Sequence, residues 1–219
     1  MDRAESFRLR TDADLRGDDP DRVGHSLANL TEVVLPLLEA AETRSVVEIG
    51  AYAGDLTGRL LAWATDADAE VIAIDPAPRP ELVELSERRP ELKLIRAESH
   101  DTLRELPPPD AVIVDGDHNY YTVAEELRLI DERAGSRLPL VILHDVCWPH
   151  GRRDSYHAPD RIPAEHRAPI ATDARLFPGD PGIAEGGLPY PSVADHEGGD
   201  RNGVLTAIED FVESRPGVR

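Results

Sequence analysis

Cysteine is nearly missing from this sequence: Cys147 stands alone among 219 residues. No internal disulfide can form, so the fold must rest on a packed core, which a chain of this length can bury. Lysine is as scarce, Lys93 being the only one. Arginine carries nearly all the basic charge, as either a GC-rich genome or a salt-adapted acidic surface would produce. No apolar run reaches membrane-spanning length and no signal-peptide core is visible, so the expected setting is a reducing cytoplasm with no membrane partner. Positive charge is also short, leaving a formal net charge of -19. A nucleic-acid backbone or anionic membrane would be repelled at long range, so small molecules are the expected substrates. Self-association into a homo-oligomer stays open.

What is present is a regular alternation. Short apolar segments at Ser45 to Ile49, Val71 to Ile74, Leu92 to Arg96, Ala111 to Val114 and Leu140 to Leu143 are strand-length and apolar on both faces. Helical patterns separate them at Leu56 to Ala64, Glu81 to Glu87 and Tyr121 to Glu132, and an amphipathic helix at Ser26 to Ala41 precedes them. Parallel βαβ units follow, an α/β Rossmann-like sheet sandwiched by helices, with ligands expected at the carboxyl ends of the strands. A single domain is expected, divided into an arm (1–25), a cofactor-binding core (26–146), an irregular lid or substrate insertion (147–202) and a last helix (203–219).

The first strand runs into Glu48-Ile49-Gly50-Ala51-Tyr52-Ala53-Gly54, an acid and two glycines in the order E-x-G-x-x-x-G. Glycines let backbone approach a ligand closely and take positive φ. A dinucleotide site would show G-x-G-x-x-G with pyrophosphate on the helix terminus, where here Asp55 would repel it. A cofactor bearing a sulfonium suits the turn better. About twenty residues on, the second strand ends in Asp75, where an acid can accept hydrogen bonds from ribose hydroxyls. The same residues could also close a tight turn and cap a helix. Taken together, Ser45 to Asp145 resembles the class I S-adenosylmethionine-dependent methyltransferases. That resemblance implies Glu48, Gly50, Tyr52, Gly54, Asp75, Ser99 and Asp115 as cofactor-binding positions, Ser99 lying with Glu98 and Asp101 where the family contacts adenine; Ser99 or Asp101 could equally cap a helix.

The fourth strand ends in Asp115-Gly116-Asp117-His118 and the fifth in His144-Asp145, so adjacent strand ends each present a carboxylate and an imidazole. These four groups are expected to converge, with His118 the natural base for an acceptor hydroxyl. The two strings resemble the metal-dependent sugar and macrolide O-methyltransferases. Carboxylates favour a hard ion such as magnesium, and the histidines would also suit manganese or zinc. The resemblance implies Asp115 and Asp145 as the metal's ligands, with His144 or Asp117 as further ligands, and His118 as general base. The family often carries paired acids where this chain has His144-Asp145.

Trp148, Arg152 and Arg153 follow directly and are expected to bind an acidic or glycosylated acceptor; anchoring the loop and pairing with surface acids are equally open. Gly198 and Gly199 offer hinges to a lid. The two strands that normally complete the family's sheet edge are not apparent after the last helix, so either the edge is built otherwise or the chain is a shortened form. Three other functions compete with methyl transfer: a nucleotide-dependent oxidoreductase, a metal-dependent hydrolase using the Asp115, His118, His144 and Asp145 cluster, and a non-catalytic cofactor-binding protein.

Overall fold

The structure is a computed structural model that describes residues 25–135 and 137–217, so the expected arm falls, except for His25, outside the described residues. The described chain forms two compact units, one of residues 25–116 and 129–144, the other of residues 117–128 and 145–217.

The first unit holds a sheet of five parallel strands, β1 (Ser45–Ile49), β2 (Glu70–Ile74), β3 (Leu92–Ile95), β4 (Ala111–Val114) and β5 (Leu140–Leu143), in the order β3-β2-β1-β4-β5. Val47 of β1 lies opposite Ile72 of β2 and Val112 of β4. Side chains alternate across the pleat, so every strand feeds two cores. Val46, Val71, Leu92, Ala111 and Ile113 pack on one face with residues of α1 (Thr31–Ala40), α2 (Asp55–Ala67) and α3 (Pro80–Arg88). Val47, Ile49, Ile72, Ile74, Val112 and Val114 pack on the other, where α4 (Ser99–Glu105) contributes Leu103 and α5 (Tyr120–Arg133) contributes Leu129 and Ile130. This distribution follows from chain direction. From β1 the chain steps one way to β2 and β3, and β4 and β5 lie on the other side of β1; right-handed crossovers then place the two sets of helices on opposite faces. The reversal leaves a topological switch point between β1 and β4. Lys93, the single lysine, stands exposed on edge strand β3, where a charge discourages pairing with another chain.

The second unit departs from the irregular insertion expected after β5. It contains an antiparallel pair, β6 (Ile170–Leu176) and β7 (Leu188–Ala194), and the last helix, α6 (Val204–Ser214). Pro189 and Pro191 sit inside β7 and only a few positions alternate, so the pair carries almost no periodic signal. Its small apolar cluster of Ala174, Leu176 and Val193 is joined by a buried polar network. Asp154 Oδ1 accepts from the backbone N–H of Tyr120 and of Gly203, each at 2.7 Å, and Tyr156 donates its hydroxyl to Oδ2 at 2.9 Å. One carboxylate thereby satisfies the free N–H groups at the starts of α5 and α6. Asn202 accepts from the Asp154 N–H and donates to the carbonyls of His196 and Gly198. Among the described residues no helix is long and apolar enough to cross a membrane.

Gly50 locks the switch point. Its φ is +84°, and a Cβ there would lie 2.2 Å from the Asp115 carbonyl oxygen and 2.4 Å from the Gly116 Cα. Gly50→Ala must therefore force the ends of β1 and β4 apart. It should lower the unfolding free energy by about 2–4 kcal/mol in urea titration, and a stability equal to the parent's would show that the close approach is not required.

Candidate functional site

The turn between β1 and α2 is built by short-range hydrogen bonds that the sequence pattern anticipates. The Gly54 N–H donates to the Ala51 carbonyl, and Gly54, at φ +89°, occupies the position just before α2. Tyr52 takes φ +45°, donates its N–H to Asp75 Oδ2 at 2.8 Å and accepts from the Arg79 N–H at 2.9 Å. Its ring is exposed, with the Arg79 guanidinium 5.2 Å from the ring centre. Asp75 Oδ1 accepts from the Ala77 N–H, so the second-strand acid braces the turn with both oxygens while each keeps a lone pair for a further donor.

Glu48 lies beneath this turn at 3 % exposure and accepts from the Thr57 hydroxyl at 2.6 Å. Burial raises its pKa from 4.5 to about 7; the Thr57 bond opposes the rise, and the charges of Asp115, Asp75 and Asp55 add to it. Asp55, in the first turn of α2, is itself raised, chiefly by burial. Acids are thus gathered around a glycine turn, with Arg79 over the Tyr52 ring and Arg59 acting on Asp55. Ser99 opens α4, but the position before the helix is Glu98, so neither Ser99 nor Asp101 is the cap that the sequence suggested. Asp101 instead pairs with Arg104 at 3.3 Å.

The acid-histidine residues form two pairs. In the first unit His144 Nδ1 is 2.9 Å from Asp115 Oδ1. In the second, His118 Nε2 is 2.9 Å from Asp145 Oδ2. Each imidazole is matched with the acid of the other strand end. Asp117 serves the start of α5: its oxygens accept from the His118 N–H, the Asn119 side-chain amide and the Thr122 hydroxyl. Around His118 lie two histidines that sequence reasoning missed, His150 with its ring centre at 4.6 Å and His157 at 5.3 Å, and Tyr190 lies 5.7 Å from His150. Burial, then the Asp145 charge, raises the Tyr190 pKa. These residues stand in aperiodic chain, and only the density of histidine after Asp145 could have flagged them.

The three residues expected to meet an acceptor have partners within the protein. Arg152 grips Glu209 through two bonds of 2.6 and 2.7 Å and donates to Thr206 at 3.1 Å. Arg153 is 1 % exposed and donates to the carbonyls of Ala194, Pro181 and Gly182. Trp148 packs against the cluster of Ala174, Leu176 and Val193.

Residues 47–146 match the family model described as a methyltransferase domain. That stretch, a little under half of the chain, is similar to methyltransferase domains. The match takes in the end of β1 from Val47, the glycine turn, Asp75, Asp115, His118, His144 and Asp145. Among solved structures, the chain is similar to the S-adenosylhomocysteine-bound methyltransferase PaMTH1 of Podospora anserina, with 20 % identity, TM-score 0.44 and coverage of 50 % of this chain and 49 % of that one. It is also similar to a Nostoc punctiforme protein described as an O-methyltransferase, with 17 % identity, TM-score 0.42 and coverage of 64 % and 41 %. A third is the Burkholderia thailandensis 1,6-didemethyltoxoflavin-N1-methyltransferase, with 18 % identity, TM-score 0.36 and coverage of 49 % and 47 %. The chain thus spans about half the length of these proteins or less. No curated protein sequence matches it significantly.

The glycine turn makes stability depend on pH through Glu48. With its pKa raised from 4.5 to about 7, the folded chain keeps a proton that the unfolded chain releases. Stability from this source is full below about pH 4.5 and is lost as pH rises to about 7, by up to about 3 kcal/mol. Glu48→Gln should flatten that fall in urea titrations across the window; an unchanged pH profile would exclude a protonated Glu48.

Proposed function

We propose that this chain is an S-adenosylmethionine-dependent methyltransferase that methylates a hydroxyl of a small molecule, with His118 as general base and a divalent ion assisting. The observation that carries the reading is the acidic glycine turn: Glu48, Asp55, Asp75 and Asp115 lie around the end of β1 and the start of α2, and their field suits a cation. When bound, S-adenosylmethionine would supply an electrophilic methyl on positively charged sulfur. Asp75 would hold the ribose through its remaining lone pairs, and Tyr52 and the two glycines would flank the methionine part. Burial keeps Glu48 partly protonated, so it can donate as well as accept near neutral pH.

Methylating a hydroxyl requires its oxygen to bond to the methyl carbon as the carbon–sulfur bond breaks and its pair returns to sulfur. The hydroxyl proton must leave, and His118 would take it. Asp145, 2.9 Å from His118 Nε2, would fix the ring and stabilise the imidazolium, as a carboxylate does for other catalytic histidines. The donors also fit a hard ion such as magnesium or manganese. Asp115 and His144 offer oxygen and nitrogen 2.9 Å apart, the spacing of neighbouring ligands, and Asp145 would complete the set implied by the sequence. Such an ion would lower the pKa of an acceptor hydroxyl.

Two measurements test this reading. Asp75→Ala should weaken S-adenosylhomocysteine binding in calorimetry by about 1.5–3 kcal/mol, with unchanged affinity removing Asp75 from the site and no binding by the parent removing the cofactor. His118→Ala should slow release of S-adenosylhomocysteine from a panel of hydroxyl-bearing acceptors about 10²–10⁴-fold while cofactor affinity holds. Full turnover by the variant would take the base role from His118, and full turnover of the parent in excess chelator would take the metal from the mechanism.

A further inference from the structure

The second unit holds a donor group of its own, of which only Asp145 figures in the ligand set implied by the sequence. His118, Asp145 and His150 each offer a ligand atom, and these atoms all lie within 4.8 Å of one another in a half-buried setting. The carboxylate is 2.9 Å from His118 Nε2, and the rings of His118 and His150 lie 4.6 Å apart, tilted by 32°. The donors of one tetrahedral zinc lie about 3.3 Å from each other, so the set closes with an inward movement of about 1 Å. A third imidazole, that of His157, is 5.3 Å from His118.

The backbone holds the three donors apart from any ion. The His118 carbonyl accepts from the Ser155 N–H at 2.9 Å, which ties its loop to the segment around the buried Asp154. The His150 carbonyl accepts from the Val204 N–H at 2.9 Å, at the start of α6, and the Gly151 N–H donates to the Cys147 carbonyl. Asp145 sits at φ +53°, a left-handed conformation that is uncommon outside glycine and that recurs at functional sites. Nitrogen and oxygen donors on three rigid points describe a site organised before an ion arrives.

Donor chemistry selects the ion. Magnesium favours oxygen ligands and retained water, whereas two imidazoles and one carboxylate suit zinc and its borderline neighbours, with a position left for water. We infer that His118, Asp145 and His150 bind a divalent transition ion of the zinc type, at a site built within the second unit that takes Asp145 from the ligand set implied by the sequence. Where the reading of His118 as base holds, the site also controls it: the ion occupies the imidazole that must take the acceptor's proton, so zinc inhibits methyl transfer while leaving the cofactor turn untouched.

Cobalt(II) is the probe, titrated into the full chain in excess magnesium and followed by its visible absorption, with zinc displacement as a second readout. The parent should bind one cobalt. His150→Ala and His150→Asn, the latter keeping a side chain of similar length, should each weaken binding at least about tenfold with the thermal transition retained. Asp115→Asn should bind cobalt as the parent does. Equal binding by the parent and both His150 variants would overturn the site, as would loss of binding in Asp115→Asn with retention in the His150 variants, which would assign the ion to the Asp115–His144 pair. Failure of the base reading looks different: cobalt and zinc then bind as described and turnover is unaffected by zinc.

Discussion

Much of this molecule depends on one close approach, the backbone of Gly50 against the carbonyl of Asp115 where β1 meets β4. A side chain at Gly50 would part the two strands at the point where the sheet reverses its winding. That point is where a parallel sheet is open to a ligand, because the helices leaving neighbouring strands go to opposite faces. The contact also brings the acid at the end of β4 close enough to Glu48 to raise its pKa further. Steric fit and electrostatics at the turn share one origin.

The charge arrangement there is costly and informative. Desolvation alone disfavours an ionised Glu48, and three neighbouring acids add to the penalty, so the site stores repulsion that a bound cation would relieve. The Thr57 hydroxyl offsets only part of it.

The second unit solves a different problem. With little apolar material between β5 and α6, it is organised by polar groups that satisfy one another: Asp154 binds the starts of two helices, and Arg153 is stapled to three carbonyls. Burial raises the Asp154 pKa even though its hydrogen bonds pull the other way. This network holds the loops that carry His118 and His150, so the histidine cluster inherits its geometry from groups with no catalytic chemistry of their own.

The sequence by itself determined the parallel sheet, because strands apolar on both faces and alternating with helices have few other ways to bury themselves; the starts and ends of β1, β4 and β5 agree with the apolar runs to the residue. It also determined the glycine turn with Glu48 and Asp55, which is local, whereas Asp75 and Asp115 reach it from strands far along the chain. Tertiary structure alone decided which acid partners which histidine, that Arg152 and Arg153 are bound within the fold, and that the stretch after β5 carries β6 and β7. Those outcomes depend on contacts between residues far apart in the chain, such as Arg152 with Glu209 and Asp154 with Gly203, and no periodic pattern encodes a pairing of that kind.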